Sequence, residues 1–136
     1  MGSTTVQWTG GKRFIGIDST CHSVVISTPA EGVGMKPSDL LLVAIASCSA
    51  VDVVEILSKK RMPLANMEIS TTGEQDSEPP WTFRKIHMHF KLSGKNLTEK
   101  AAAQAIQLAE EKYCSVAATI RATVEITTDF EILPEE

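Results

Sequence analysis

No cluster of Lys or Arg stands out along this chain, and its formal net charge is -4 with a pI near 5.4. Without a basic field nothing attracts a phosphate backbone, which excludes nucleic acid as the expected partner. Long apolar runs are also missing. The longest, Leu40 to Ala46, is broken at once by Ser47, Cys48 and Ser49 and then by Asp52, far short of the ~20 residues a membrane span needs. The opening residues, Met1 to Thr5, lack the basic and apolar regions of a secretory signal, so the expected location is the cytoplasm. Cysteines number three, an odd count that makes no disulfide framework and, in a reducing compartment, leaves thiols free. Neither a repeat nor a low-complexity linker divides the sequence.

What is present describes one folded domain over residues 1–136. Apolar residues make up 43% and charged residues 22%, a balance that separates it from disordered chains, which are poorer in Val, Ile and Leu. Val6 to Thr9, Arg13 to Ile17 and His22 to Ser27 alternate apolar and polar side chains around a Gly10-Gly11 turn, predicting an antiparallel meander. Pro37, Ser38 and Asp39 have the composition of a helix first turn, and from Asp39 to about Arg61 there is neither Gly nor Pro, so a helix is expected there. Its first half, Leu40 to Val51, is apolar or small on every side, which predicts a helix surrounded by protein.

Met67 to Thr72 and Thr82 to Leu92 have strand periodicity and predict a hairpin, Thr98 to Tyr113 has helical spacing, and Ala122 to Ile132 alternates again. The fold class that follows is α+β: two antiparallel sheets, amino-terminal and carboxy-terminal, wrapped around a long buried helix. Cys48 falls in the middle of that helix, and Cys114 closes the second helix, 66 residues later. On placement alone the two are equally readable as inert buried thiols, since cysteine packs as a small hydrophobe, or as a reactive pair. Cys21 and His22 read as loop residues, His87 and His89 as a solvated strand face, and Met62, Met67 and Met88 as core filler. No metal ligand set is expected from them.

The segment from Pro37 to Val54, with Ser47-Cys48-Ser49 at its centre, resembles the cysteine helix of the OsmC/Ohr family, the osmotically inducible and organic-hydroperoxide-resistance proteins, and in particular its YhfA-like branch. Glu111 to Val116 resembles the family's second cysteine motif, and Arg13 to Gly16 with His22 resembles the branch's amino-terminal β segment. The resemblance implies an intertwined homodimer with active sites at the subunit interface, acting as a thiol peroxidase on organic hydroperoxides. Cys48 is then the attacking thiol, Cys114 the resolving thiol and Arg13 the activating cation. The implied reductant is an external dithiol, by family precedent a lipoyl group, and no metal, flavin or haem is required.

Where the family carries an arginine-orienting glutamate, ten residues before the cysteine, this chain has Ser38, with Asp39 beside it. Nine residues of helix separate Asp39 from Cys48 by about 13 Å along the axis and place them on opposite faces. Asp52 lies one turn beyond Cys48 on the same face, where an unpaired acid would raise the thiol pKa. Asp39 and Asp52 are therefore the acids to be weighed as partners of Arg13. On the same fold, a binding module for a small thiol or apolar ligand and a redox sensor remain as alternatives.

Overall fold

Three short segments near the amino terminus form strands β1 (Thr5–Trp8), β2 (Arg13–Ile17) and β3 (Ser23–Ser27), paired antiparallel in that order. Gly10 and Gly11 make the first turn with φ of 105° and 55°, left-handed values that glycine adopts without steric cost. The second turn is organised by Asp18, whose carboxylate accepts the backbone N–H groups of Thr20 and His22 at 3.0 and 2.9 Å. In this computed structural model, which describes residues 2–135, the chain falls into two compact units. This sheet belongs to the first, Met1–Leu41, and the rest of the chain forms the second, Leu42–Glu136.

The long helix α1 (Pro37–Lys59) opens with proline at its first position, has Asp39 in its first turn and ends on Lys59, as helix stereochemistry and the helix dipole favour. Strands β4 (Asn66–Gln75) and β5 (Phe83–Ser93) form the expected hairpin, antiparallel in register from Asn66 opposite Ser93 to Glu74 opposite Lys85. Helix α2 (Glu99–Leu108) is capped by Thr98, whose hydroxyl accepts the Ala101 N–H at 3.1 Å. A π-helical turn (Ala109–Tyr113) and a short helix α3 (Ser115–Ile120) lead to strand β6 (Glu125–Ile132).

The α+β architecture, with two three-stranded sheets and one long helix, is as the sequence implied. Two details differ. The carboxy-terminal sheet, ordered β4-β5-β6, is mixed rather than antiparallel throughout, because β6 runs parallel to β5. Parallel neighbours need a crossover connection, and α2, the π turn and α3 supply it. The helix expected over Thr98 to Tyr113 is accordingly two elements, α2 and the π turn, with α3 as an additional helix beyond them.

The second difference concerns α1, expected to be buried all round. Only one stripe of it is buried, Ile45, Ser49, Val53 and Leu57, spaced four residues apart as one face of a helix must be. Val43, Val51 and Val54 remain 46%, 66% and 49% exposed. By length and composition α1 could pass as a membrane span, but the buried stripe packs into the core of the second unit with Ile86, Met88, Phe90 and Leu92 of β5 and with Ala102, Ala105 and Ile106 of α2. Met62 and Met67 pack against this core and Met88 lies within it, as core filler should. The alanines of α2 let the helix lie close to the sheet, and Cys114 and Ala117 close the core at the α3 end.

Candidate functional site

Tertiary folding brings Cys48 and Cys114 together. Cys48 is half-buried on α1, and Cys114 is 2% exposed. Both are free thiols, near enough for each to act on the other's ionisation. Cys114 itself is the N-cap of α3: its backbone is extended, at φ -75° and ψ 108°, and its Sγ accepts the Ala117 N–H at 3.3 Å. The π turn sets this position, its closing bond running from the Cys114 N–H to the Ala109 carbonyl at 2.7 Å. Arg121 ties the two ends of the segment together by donating to the Glu110 carbonyl oxygen and, at 3.3 Å, to its carboxylate.

The first N–H groups of any helix lack intrahelical acceptors and point outward with partial positive charge. In α3 these donors are shared between the two sulfurs. Burial pushes the Cys48 thiol up, but the Val116 N–H, the Cys114 thiol, and the hydroxyl and N–H of Ser115 together outweigh it and hold Cys48 below the ordinary thiol range. Cys114 moves the other way. Its burial pushes it up, the Ala117 N–H offsets part of this, and the neighbouring Cys48 raises it further. The Ser49 hydroxyl is fully buried and has no hydrogen-bond partner of ordinary length among the described residues, yet it lies against Cys114 and tempers that rise. The pair is thus asymmetric, with the ionisable thiol on the more accessible residue.

This field comes from a helix that sequence inspection did not assign. The dipole of α1 fades long before Cys48, three turns in, which had pointed to Arg13 as the source of charge. Ser115 and Val116 were not singled out, although Ser115 directly after a cysteine was the available signal. A six-residue helix is too short for periodicity to detect.

Each of the remaining candidates has its own local partners or setting. Arg13, on β2, donates from Nε to the Gly10 carbonyl at 3.2 Å and forms an ion pair with Glu31, Nε to Oε2, at 3.6 Å. Glu31 is braced in turn by the Lys12 N–H at 3.1 Å. The carboxylate beside Arg13 is therefore Glu31. Asp39 instead pairs with Lys36 at 3.6 Å, one turn away. Asp52 is half-buried and makes no ion pair among the described residues. Cys21 is exposed at φ 66° in the β2–β3 turn, and the His22 ring is hydrogen-bonded to Thr20 at 2.7 Å, consistent with the loop reading.

Comparison with known proteins is consistent with this frame. Residues 29–129 match the family model described as OsmC-like protein. Protein YhfA of Escherichia coli K12 is 35% identical over 128 residues, covering 94% of this chain and 96% of YhfA. A hypothetical protein from Aquifex aeolicus VF5 superposes with a TM-score of 0.84 at 28% identity, covering 98% of each chain. The organic hydroperoxide resistance protein OhrB of Bacillus subtilis superposes with a TM-score of 0.66 at 18% identity, over 96% of this chain and 98% of its own, a likeness of fold. With the family model spanning most of the chain and the two cysteines meeting at the mouth of α3, the chain belongs to the OsmC-like protein family.

Proposed function

We propose that this protein is a thiol peroxidase that reduces organic hydroperoxides through Cys48 and Cys114. The observation that carries the reading is the asymmetric pair: one accessible thiol held below its ordinary range, beside one buried thiol held above it. Only a thiolate is an effective nucleophile, so the first is suited to attack and the second to wait. The substrate class is suggested by the family, whose OhrB member in Bacillus subtilis is named for organic hydroperoxide resistance.

In the first step the Cys48 thiolate attacks the terminal oxygen of ROOH. An S–O bond forms, the O–O bond breaks, and the leaving alkoxide takes a proton to become ROH, leaving Cys48 as sulfenic acid. Cys114 then attacks the Cys48 sulfur. An S–S bond forms, the S–O bond breaks, and hydroxide leaves as water with the proton from Cys114. The hydroperoxide gains two electrons and the cysteine pair loses two. An external dithiol, by family precedent a lipoyl group, reopens the disulfide by exchange, and a reducing cytoplasm would maintain that supply. Arg13 is assigned the supporting cation by the resemblance. The exposed valines of α1 support a homodimer, since an apolar stripe of that kind is ordinarily covered by a partner.

The test is mass spectrometry and peroxide consumption after one equivalent of cumene hydroperoxide, comparing wild type with Cys48→Ser and Cys114→Ser. Wild type is expected to lose two hydrogens as the disulfide, Cys114→Ser to gain one oxygen, and Cys48→Ser to stay unmodified. Turnover with dihydrolipoate should follow in wild type alone. Equally slow peroxide loss in all three proteins would overturn the reading. Disulfide formation without turnover would make the protein a redox sensor instead.

A further inference from the structure

Ser49 stands on the buried stripe of α1, next in sequence to Cys48, and is 0% exposed. The buried hydroxyls of Thr28, Ser49 and Thr71 have no hydrogen-bond partner among the described residues, and of these three residues Ser49 alone is fully buried. A serine inside a helix ordinarily satisfies its hydroxyl on a carbonyl one turn back. Ser47 does so, donating to the Val43 carbonyl at 2.8 Å and the Ala44 carbonyl at 3.2 Å. Ser49 leaves the equivalent carbonyl, that of Ile45, unused. A hydrogen bond left unmade in the interior is destabilising, and alanine would fill the same helical position without it. The hydroxyl therefore calls for a role that the resting protein does not display.

Its neighbour in the core is Cys114, whose sulfur accepts the Ala117 N–H at 3.3 Å. With Cys114 only 2% exposed, water can do little to stabilise charge there. Burial opposes ionisation of this thiol, and the Ala117 N–H and the Ser49 hydroxyl each counter part of that penalty.

We propose that the Ser49 hydroxyl is held in reserve as a donor to the Cys114 thiolate, and that it acts in the step that joins Cys114 to Cys48. The inference rests on the reading of Cys114 as the thiol that attacks Cys48. In that step Cys114 gives up its proton and its sulfur attacks the sulfur of the Cys48 sulfenic acid. An S–S bond forms, the S–O bond breaks, and the leaving hydroxide takes the proton as water. The Cys114 sulfur is oxidised and the Cys48 sulfur reduced.

Negative charge thus builds on an enclosed sulfur. An anionic acceptor binds a donor more strongly than a neutral one, and a hydroxyl already beside it has only to turn its O–H. A donor in place before the charge develops acts in a low-dielectric interior with no solvent to reorganise. The disulfide that results carries no charge, so the contribution is confined to the attack itself.

The experiment times the two thiols separately, in the full-length protein carrying Cys21→Ser, with a chromogenic aromatic disulfide. Cys48 attacks the reagent, releases one aryl thiolate and keeps the other as a mixed disulfide. Cys114 then attacks the Cys48 sulfur and releases the second. No hydroperoxide is needed, so the result does not depend on hydroperoxide being the substrate. Ser49→Ala should leave the first release at the parent rate and slow the second by about three- to tenfold. That figure is a loss of about ten- to hundredfold in thiolate, from one hydrogen bond to a charged group, partly offset by nucleophilicity. The rise of the second rate with pH should move to higher pH. The thermal midpoint of Ser49→Ala should equal or exceed the parent's, because an unpaired hydroxyl has left the core, and Ser47→Ala should match the parent in both releases. A second release at the parent rate across the pH range would overturn the proposal. So would slowing of both releases together with a lower thermal midpoint, the mark of a purely structural role. Absence of a second release in the parent itself would instead remove the reading of Cys114 as the attacking thiol, and the proposal with it.

Discussion

If α3 sets the ionisation of Cys48, deleting its donors must shift that thiol in a graded way. Ser115 supplies two of them, a hydroxyl and a backbone N–H. Ser115→Ala removes the first. Ser115→Pro removes both and still suits the site, because proline is tolerated at the first helical position and Cys114 before it is already extended. A hydrogen bond to a charged group contributes about 1.5–3 kcal/mol. At a half-buried sulfur we take the lower end, ~1.5 kcal/mol, or roughly tenfold in thiolate population. Raising the thiol pKa also raises the intrinsic nucleophilicity of the thiolate, with a Brønsted coefficient near 0.4–0.5.

The two effects predict a crossing of pH–rate curves. Well below the titration midpoint Ser115→Ala should react about threefold more slowly than the parent, the tenfold loss of thiolate being partly offset by nucleophilicity, and well above it, where both thiols are fully ionised, about threefold faster from nucleophilicity alone. Ser115→Pro should move further in the same direction. The assay is stopped-flow reaction with a chromogenic aromatic disulfide in a Cys21→Ser, Cys114→Ser background, where serine at position 114 keeps both a hydroxyl donor and a good N-cap. Superimposable pH profiles for parent and both variants would refute α3 as the source of the thiolate field.

Two further outcomes follow from the same geometry. Glu31→Gln should lower peroxidase turnover by loosening Arg13, whereas Asp39→Asn should leave it near wild type because Asp39 pairs with Lys36; steady-state assays reversing that order would return the orienting role to Asp39. Val51→Asp places a charge in the exposed valine stripe of α1 and should turn a homodimer into monomers in size-exclusion chromatography with light scattering, while an unchanged mass would remove α1 from the interface.

Much of the fold was legible because its signals are local. Proline at position 37 with Asp39 after it marked the start of α1 within two residues, and the alternation through Phe83 to Leu92 marked β5. Periodicity could not say which side of α1 its own chain covers, because an apolar pattern does not record what, if anything, packs on a given face. Nor could it distinguish a parallel β6 from an antiparallel one, since both alternate with the same period.

By itself, then, the sequence determined the α+β class, the family and the choice of Cys48 and Cys114 as the candidate pair, each carried by composition, period or a contiguous motif. Tertiary structure decided the rest. It placed the free N–H groups of a six-residue helix at the two sulfurs, gave Arg13 the carboxylate of Glu31, and set the Ser49 hydroxyl beside Cys114. All three depend on groups far apart in the chain or on unpaired backbone donors, and both are fixed only when the elements pack.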